Sequence, residues 1–259
     1  MAGPQRDVGE GGRLSLRGLQ KSFGAARVLD GVTFEVTPGE RHGLIGVNGA
    51  GKTTLFNVIT GDLAADAGEL FLDGAELNRL SVQARALRGL GRTYQVSSLA
   101  PSLSVRANLV LAITDGRLPS SLTPWRRAGD APDLIATASR FGLGSVLDER
   151  VSDLSHGTQR QLELAMVLGR NPRLLLLDEP AAGLSPSERA VFASVVRDLP
   201  TTVSLLLIEH DMDLILDLCD RITMLHDGRV LMAGTPAEVA RDPTVRAVYL
   251  GDAGERPRA

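Results

Sequence analysis

A glycine-rich segment, Gly46–Thr54, carries residue types that bind phosphate, in the spacing G-x-x-x-x-G-K-[ST]. The apolar run Gly43–Ile45 precedes it and the apolar-rich run Leu55–Thr60 follows it, which predicts a strand, a turn and a helix. Glycines in such a turn let backbone N–H groups surround a phosphate, and the N-terminus of the following helix adds partial positive charge. The sequence therefore predicts a site for the phosphates of a nucleotide.

The side chains of this segment extend the prediction to ATP and Mg²⁺. Lys52 is expected to reach the β- and γ-phosphates, and the hydroxyl of Thr53 is expected to bind Mg²⁺. The predicted nucleotide-binding residues of the segment are Asn48, Gly49, Ala50, Gly51, Lys52, Thr53 and Thr54. The alternative, a turn that needs glycine for its geometry alone, is disfavoured by the flanking strand and helix.

An acidic pair, Asp178–Glu179, ends the apolar run Leu174–Leu177, which is typical of a strand buried on both faces. Ligands of an open parallel sheet bind beyond the carboxyl ends of its strands, so the pair and the glycine-rich turn should face one crevice. A hard cation prefers carboxylate oxygen, which predicts that Asp178 binds Mg²⁺. Glu179 is then the candidate general base for the water that attacks the γ-phosphate. The alternative is a charged loop after a strand.

Composition limits the other classes of function. The 259 residues carry a formal net charge of −3 without a block of like charge, so no nucleic-acid partner is expected. The single cysteine, Cys219, excludes an internal disulfide and fits a reducing compartment. No run approaches the ~18 apolar residues of a membrane span, and the first residues lack the apolar centre of a signal peptide. We expect a cytoplasmic protein that contacts a membrane only through partner proteins.

The chain is expected to begin with strands and then to change character. Leu14–Leu19 predicts a strand, and Val28–Val36 predicts two β-rich pieces divided by a turn at Asp30–Gly31. Between Ser97 and Ser152 the pattern instead predicts two helices, Val105–Ile113 and Asp133–Phe141, in an inserted helical lobe.

The α/β pattern returns at Leu154. The elements predicted there are helices Thr158–Gly169, Pro186–Leu199 and Met212–Leu218, strands Leu174–Leu177 and Thr202–Ile208, and a hairpin of Arg221–Leu225 with Val230–Ala233. The predicted domains are residues 12–93 and 154–250 for two parts of one core, residues 94–153 for the helical lobe, and residues 251–259 for a disordered tail.

Five motifs, in this order along the chain, resemble the ATPase subunit of an ATP-binding cassette (ABC) transporter over Leu14–Leu250. They are Gly46–Thr54, Gln95 in Gly91–Gln95, the signature-like Leu154–Gln159, Leu174–Glu179, and His210 in Ile208–Asp211. The resemblance implies an α/β fold: a P-loop NTPase core of the RecA-like type, with an antiparallel β subdomain and an inserted α-helical subdomain.

The resemblance also implies roles for three further residues. Phe23 would stack on adenine, with a core residue as the alternative. Gln95 would bind Mg²⁺ or water and sense the γ-phosphate, with a solvated loop glutamine as the alternative. His210 would hydrogen-bond the γ-phosphate and hold the attacking water, with a strand-end histidine as the alternative. The implied catalytic set is Glu179, His210 and Gln95, and the implied metal set is Thr53, Gln95 and Asp178.

Ser155 and Gly157 are implied to bind the ATP of an opposing subunit, through the N-terminus of the helix that follows them. These donors are expected to lack a target without that ATP, which makes a second ATPase subunit, identical or not, a predicted partner. Ser155 is alternatively, or also, an ordinary helix N-cap. The usual signature Leu-Ser-Gly-Gly-Gln is altered here, with His156 for the first glycine, and Ser185 stands where many family members have aspartate.

Details of these motifs and of the ending Ala247–Gly251 resemble ATPases of branched-chain amino acid importers and of the related urea and amide importers. Such ATPases lie on the cytoplasmic face of the membrane beneath permease subunits, and an external binding protein supplies the solute. Ser97, Leu99 and Leu103 are predicted to line the groove for the permease. The alternatives are a soluble ABC-type ATPase that remodels ribosomes or DNA, and a P-loop metabolic kinase.

Overall fold

The computed structural model describes residues 11–93, 99–113 and 132–253. The chain divides into two compact units. The core unit comprises Met1–Leu90, Arg173–Glu179 and Pro200–Ala259, and the helical unit comprises Gly91–Pro172 and Pro180–Leu199. Within the described residues, no helix has the length and apolar character needed to cross a membrane.

The strands have the following bounds: β1 Leu14–Phe23, β2 Ala26–Val36, β3 Arg41–Ile45, β4 Ala67–Leu72, β5 Ala75–Glu76, β6 Leu90–Arg92, β7 Leu174–Asp178, β8 Ser204–Ile208, β9 Arg221–His226 and β10 Arg229–Gly234. The helices are α1 Lys52–Thr60, α2 Val82–Leu87, α3 Val105–Ile113, α4 Pro132–Arg140, α5 His156–Leu168, α6 Pro186–Arg197, α7 Met212–Leu218, α8 Pro236–Arg241 and α9 Pro243–Ala253.

The first sheet is antiparallel and has the order β2-β1-β4-β5. The predicted turn at Asp30–Gly31 is wrong, because β2 runs through both residues. Gly31 is instead the extra residue of a bulge: Val32 pairs with Leu19, Asp30 pairs with Gln20, and Gly31 has a φ of 77°. The N–H of Asp30 donates to the carbonyl of Gly228 at 2.8 Å, which keeps this part of the chain in the sheet.

The second sheet has the order β10-β9-β3-β8-β7-β6, with β3 parallel to β8 and β9, and β7 parallel to β8. The edge strand β6 contains the junction between the two units. In this register Ile208 pairs with both Leu44 of β3 and Asp178 of β7. The carboxyl ends of β3, β7 and β8 therefore reach one edge of the sheet together, and the loops that follow them start side by side.

The core of this unit forms between the sheets and helix α1. Leu55, Phe56 and Ile59 of α1 belong to the same buried cluster as Leu174 and Leu176 of β7. Every residue of β7 and of β8 is buried, which confirms the predicted burial of these leucine-rich strands on both faces. Helix α1 ends at Thr60, and Gly61 is its C-cap, with a φ of 90° and an N–H that donates to the carbonyl of Asn57.

The helical unit contains helices α3 to α6. Helix α3 has its predicted bounds, α4 begins at Pro132, and both contact α5. The side chain of Asn108 accepts from the N–H of Ala100 at 2.8 Å and donates to its carbonyl at 3.1 Å. This amide pair fixes the segment before α3 by satisfying both backbone groups of Ala100.

Two helices near the end of the core unit, α8 and α9, follow the predicted hairpin. Thr235 and Glu238 form a capping box at the start of α8, with Pro236 in its first turn. Helix α9 extends to Ala253, whereas the sequence predicts a disordered tail from residue 251. The rest of that predicted tail lies outside the described residues.

Candidate functional site

The glycine-rich turn after β3 has the backbone that only glycine adopts readily. Gly51 has a φ of 101°, and a Cβ built on it would lie 2.8 Å from the carbonyl oxygen of Val28. Gly46 has a φ of 154°, and a Cβ there would collide with the carbonyl of Leu225. Gly51 is also the N-cap of α1, and since it has no side chain, it leaves the first N–H groups of the helix open to a ligand. This backbone fits a phosphate group.

Lys52 lies over this turn. Its Nζ donates to the carbonyls of Gly46 at 2.5 Å and Val47 at 3.1 Å. Burial lowers the pKa of Lys52, while the charges of Glu179 and Asp178 act in the opposite direction. The ammonium group is thus held in the phosphate loop and feels both carboxylates.

Asp178 and Glu179 lie where β7 ends. Asp178 is only 3% exposed, and Glu179 has a left-handed φ of 46°. The N–H of Glu179 donates to the carbonyl of Ile208 at 2.9 Å, so the β7–β8 ladder holds this strained backbone. A residue that the surrounding sheet holds in an unfavourable backbone conformation is typical of a functional position.

His210 follows β8 and faces two carboxylates. Its ring Nδ1 lies 4.0 Å from Oε2 of Glu179 and 3.8 Å from Oε2 of Glu209. The backbone N–H of His210 donates to Oε2 of Glu209 at 3.3 Å. The side chain of His210 is 66% exposed, whereas that of Glu209 is 1% exposed. The buried carboxylate of Glu209 therefore binds the backbone N–H of His210, whose ring remains accessible to a ligand.

Phe23, at the end of β1, is 50% exposed, which excludes the alternative of a core residue. The Nζ of Lys21 lies 5.6 Å from the centre of its ring and binds Asp66 at 2.8 Å. An exposed aromatic face beside a held cation is available for stacking on a base. Gln95, the remaining predicted ligand, lies outside the described residues.

These residues fit ATP with Mg²⁺ on their chemistry. Thr53, exposed in the first turn of α1, and the buried Asp178 both offer the oxygen atoms that a hard cation binds. The single positive charge of Lys52 faces the two negative charges of Asp178 and Glu179, so the added positive charge of a metal ion would help a polyanion to bind there.

In the helical unit, Ser155 is the N-cap of α5, because its Oγ accepts from the N–H of Thr158 at 3.2 Å. The predicted N-cap role is therefore confirmed. The Oγ of Ser155 also donates to the carboxylate of Glu188 at 3.4 Å, and the amide of Gly157 lowers the pKa of that carboxylate. The expectation that these donors lack a target without ATP is therefore wrong for Ser155.

A cavity of about 290 Å³ lies in the helical unit beside Ala100 and Asn108. Leu99 and Leu103 are near it in sequence but do not line it, and Leu103 is exposed. Ser97 lies outside the described residues.

A comparison with protein-family models matches residues 29–182, more than half of the chain, to the family described as ABC transporter. The chain belongs to this ABC transporter family. A second model, described as branched-chain amino acid ATP-binding cassette transporter, matches residues 229–255 of this ABC protein. The chain is accordingly an ATP-binding ATPase subunit, as the motifs predict.

Two curated relatives are similar to nearly the whole chain. The high-affinity branched-chain amino acid transport ATP-binding protein LivG of Escherichia coli K12 is 38% identical over 250 residues, covering 93% of this chain and 98% of LivG. The lipopolysaccharide export system ATP-binding protein LptB of Acidithiobacillus ferridurans is 38% identical over 240 residues, covering 92% of this chain and 97% of LptB.

A solved ATP-binding cassette of an ABC transporter, in its ADP conformation, superposes with a TM-score of 0.79 at 27% identity, covering 94% of this chain and 99% of the other. A nucleotide-free cassette superposes with a TM-score of 0.77 at 27% identity, covering 93% and 99%. The predicted fold class and the predicted resemblance to the branched-chain importer group are both confirmed.

The structure of this ABC ATPase brings Lys52, Asp178, Glu179 and His210 to one edge of the core unit. Ser155 and Gly157 belong to the helical unit. Two acids near predicted ligands were not predicted as site residues: Glu209 and Glu188. Glu209 could have been found from the sequence, because it directly precedes His210. The spacing from Ser185 to Glu188 signals a capping box, but it does not reveal the contact with Gly157.

Proposed function

We propose that this ABC ATPase hydrolyses ATP at the edge of its parallel sheet and energises uptake of branched-chain amino acids, or of related small polar solutes such as urea and amides, through partner permeases. The observation that carries the proposal is the convergence of Lys52, Glu179 and His210 at that edge. A cation, a general base and a hydrogen-bonding histidine are the groups that hydrolysis of a γ-phosphate needs.

Each residue has a distinct task in this proposal. Lys52 and the N–H groups of the glycine-rich turn bind the phosphates, and Phe23 stacks on adenine. Water attacks the γ-phosphorus, the bond to the ADP oxygen breaks, and Glu179 accepts a proton from the water. His210, whose backbone N–H donates to Glu209, hydrogen-bonds the γ-phosphate. Thr53, Asp178 and Gln95 would hold Mg²⁺, which supplies charge neutralisation when it is bound.

The second half of the site comes from another ATPase subunit in this proposal. Ser155 and Gly157 would bind the γ-phosphate of that subunit's ATP through the N-terminus of α5. The pair closes when ATP is bound and opens after hydrolysis, which turns a chemical cycle into a movement of the attached permeases.

The proposed location is the cytoplasmic face of the membrane, beneath two permease subunits, with an external binding protein that delivers the solute. The permease would contact the surface that includes Leu99 and the exposed Leu103. LptB is as similar as LivG, so whole-chain identity does not separate import from export. The match of residues 229–255 favours the importer.

The test is to purify the full tagged chain from membranes and to identify the proteins that accompany it. We expect permease subunits, and ATP-dependent uptake of labelled leucine or urea by vesicles that contain the complex. Glu179→Gln should abolish uptake while the complex still assembles. Tight association with ribosomes would contradict the proposal, and association with lipopolysaccharide-export components would assign the chain to the exporters.

A further inference from the structure

We propose that Glu188 is an autoinhibitory residue: its carboxylate occupies the anion-binding end of helix α5, and the γ-phosphate of the partner's ATP must displace it before the two ATPase subunits can close. This inference rests on the proposed role of Ser155 and Gly157. The contact that carries it lies entirely within the helical unit.

The two oxygens of Glu188 have different tasks. Oε2 accepts from the N–H of Ser185 at 2.9 Å and from its Oγ at 2.8 Å, which completes the capping box of α6. Oε1 accepts from the Oγ of Ser155 at 3.4 Å on the other helix. The capping box thus accounts for one oxygen, and the second lies at the start of α5.

The approach to Gly157 is close. A Cβ built on Gly157 would collide with Oε1 of Glu188, although the φ of Gly157 is not in the left-handed region. Gly157 is buried, and its amide lowers the pKa of the same carboxylate. Glycine is therefore required here by the neighbouring acid and not by the backbone angle.

The electrostatics are those of an anion site that is already filled. The hydrogen bonds from Ser185, then those from Ser155 and Gly157, lower the pKa of Glu188, so the group is ionised at neutral pH. A phosphate that approached the same N–H groups would meet this negative charge and could not share the space above Gly157. The other half of the α6 cap, the bond from the N–H of Glu188 to the Oγ of Ser185 at 3.3 Å, does not involve the carboxylate and would survive its movement away from α5.

A matched control exists in the same chain. Glu238 forms the corresponding capping box with Thr235 at the start of α8, accepting from its N–H at 2.7 Å and its Oγ1 at 2.9 Å. Since glutamine also completes a capping box, Glu188→Gln and Glu238→Gln should both fold, and they lose the same charge. Only the first removes a charge from the end of α5.

The first measurement follows the amide of Gly157 in the full chain. The dipeptide His-Gly occurs at His156–Gly157 and His42–Gly43, so carbonyl-¹³C histidine with ¹⁵N glycine selects these two signals, and Gly43 serves as the reference. In Glu188→Gln, inorganic phosphate should shift the Gly157 signal at a concentration roughly two- to fivefold lower than in the unsubstituted chain. Equal responses in the two proteins would overturn the inference.

The second measurement is ATP-driven pairing in a Glu179→Gln background, by sedimentation velocity, on the chain or on the complex purified with its natural partner. We expect Glu188→Gln to lower the ATP concentration for half-maximal pairing by roughly two- to fivefold, and Glu238→Gln to leave it unchanged. Pairing that is unchanged or weakened by Glu188→Gln overturns the inference and leaves the proposed function standing. Absence of ATP-driven pairing in every variant contradicts the proposed function, and the inference falls with it.

Discussion

The N-termini of helices α1 and α5 are both expected to bind a phosphate, yet they are built in opposite ways. At α1 the N-cap is Gly51, which has no side chain, and Lys52 lies on carbonyls of the turn. At α5 the N-cap is Ser155, and a carboxylate from another helix covers Gly157. The first helix end is therefore prepared for an anion, whereas the second already holds one. A site for the chain's own nucleotide can stay open, but a site for a partner's nucleotide has to be vacated.

The largest expected effect is a loss of ATP turnover at the α1 site without a loss of ATP affinity. Glu179→Gln should lower ATP turnover by about 10²- to 10⁴-fold, because the amide cannot accept the proton of the attacking water. ATP affinity, measured by calorimetry, should be nearly unchanged. A variant that turns over ATP at the normal rate would remove Glu179 as the base.

Lys52→Ala tests whether phosphate binding at the α1 site depends on the charge of Lys52. The loss of charge-assisted hydrogen bonds to the phosphates should weaken ATP binding by about 10- to 100-fold, measured by calorimetry. Lys52→Met is the companion variant, since it keeps the apolar stem and should lose a similar factor. Undiminished affinity in both variants would show that the ammonium does not meet the phosphates.

Two glycine substitutions compare the helix ends directly. Gly51→Ala should destabilise the fold by about 1–3 kcal/mol in urea unfolding, because alanine is strained at a φ of 101° and meets the carbonyl of Val28. Gly157→Ala should destabilise by a similar amount, about 1–3 kcal/mol, but through the clash with Glu188.

The two cases differ in whether they can be rescued. Adding Glu188→Ala should recover most of the loss in Gly157→Ala and none of the loss in Gly51→Ala. A Gly157→Ala chain that Glu188→Ala does not rescue would show that the carboxylate is not what requires glycine there.

The smallest expected effect is a loss of ATP affinity when the contact with adenine is removed. Phe23→Ala should weaken ATP binding by about two- to tenfold, because one aromatic contact is lost, while the maximal turnover rate changes little. Inorganic phosphate binding, followed by calorimetry, should be unaffected. An equal loss for ATP and for phosphate would mean that Phe23 supports the turn and does not contact the base.

The α1 site was predictable because its parts are adjacent in the chain. Gly46, Gly51 and Lys52 lie within one strand–turn–helix unit, and the end of a buried leucine strand marks Asp178 and Glu179. The turn at Asp30–Gly31 was predicted wrongly for the converse reason. Arg229, 199 residues away, donates to the side chain of Asp30 at 2.8 Å, and the carbonyl of the neighbouring Gly228 accepts from the backbone N–H of Asp30. These distant residues hold Asp30 in the strand, so Gly31 forms a bulge and not a turn.

By itself, the sequence determined the types of the chemical groups, the order of the motifs and the strands and helices that carry them, because these depend on neighbours a few residues apart. Only the tertiary structure decided that the carboxylate of Glu188 covers Gly157. The Ser155–Glu188 contact joins residues 33 positions apart on two helices. Helix packing sets such a contact, and no local pattern of residues records it.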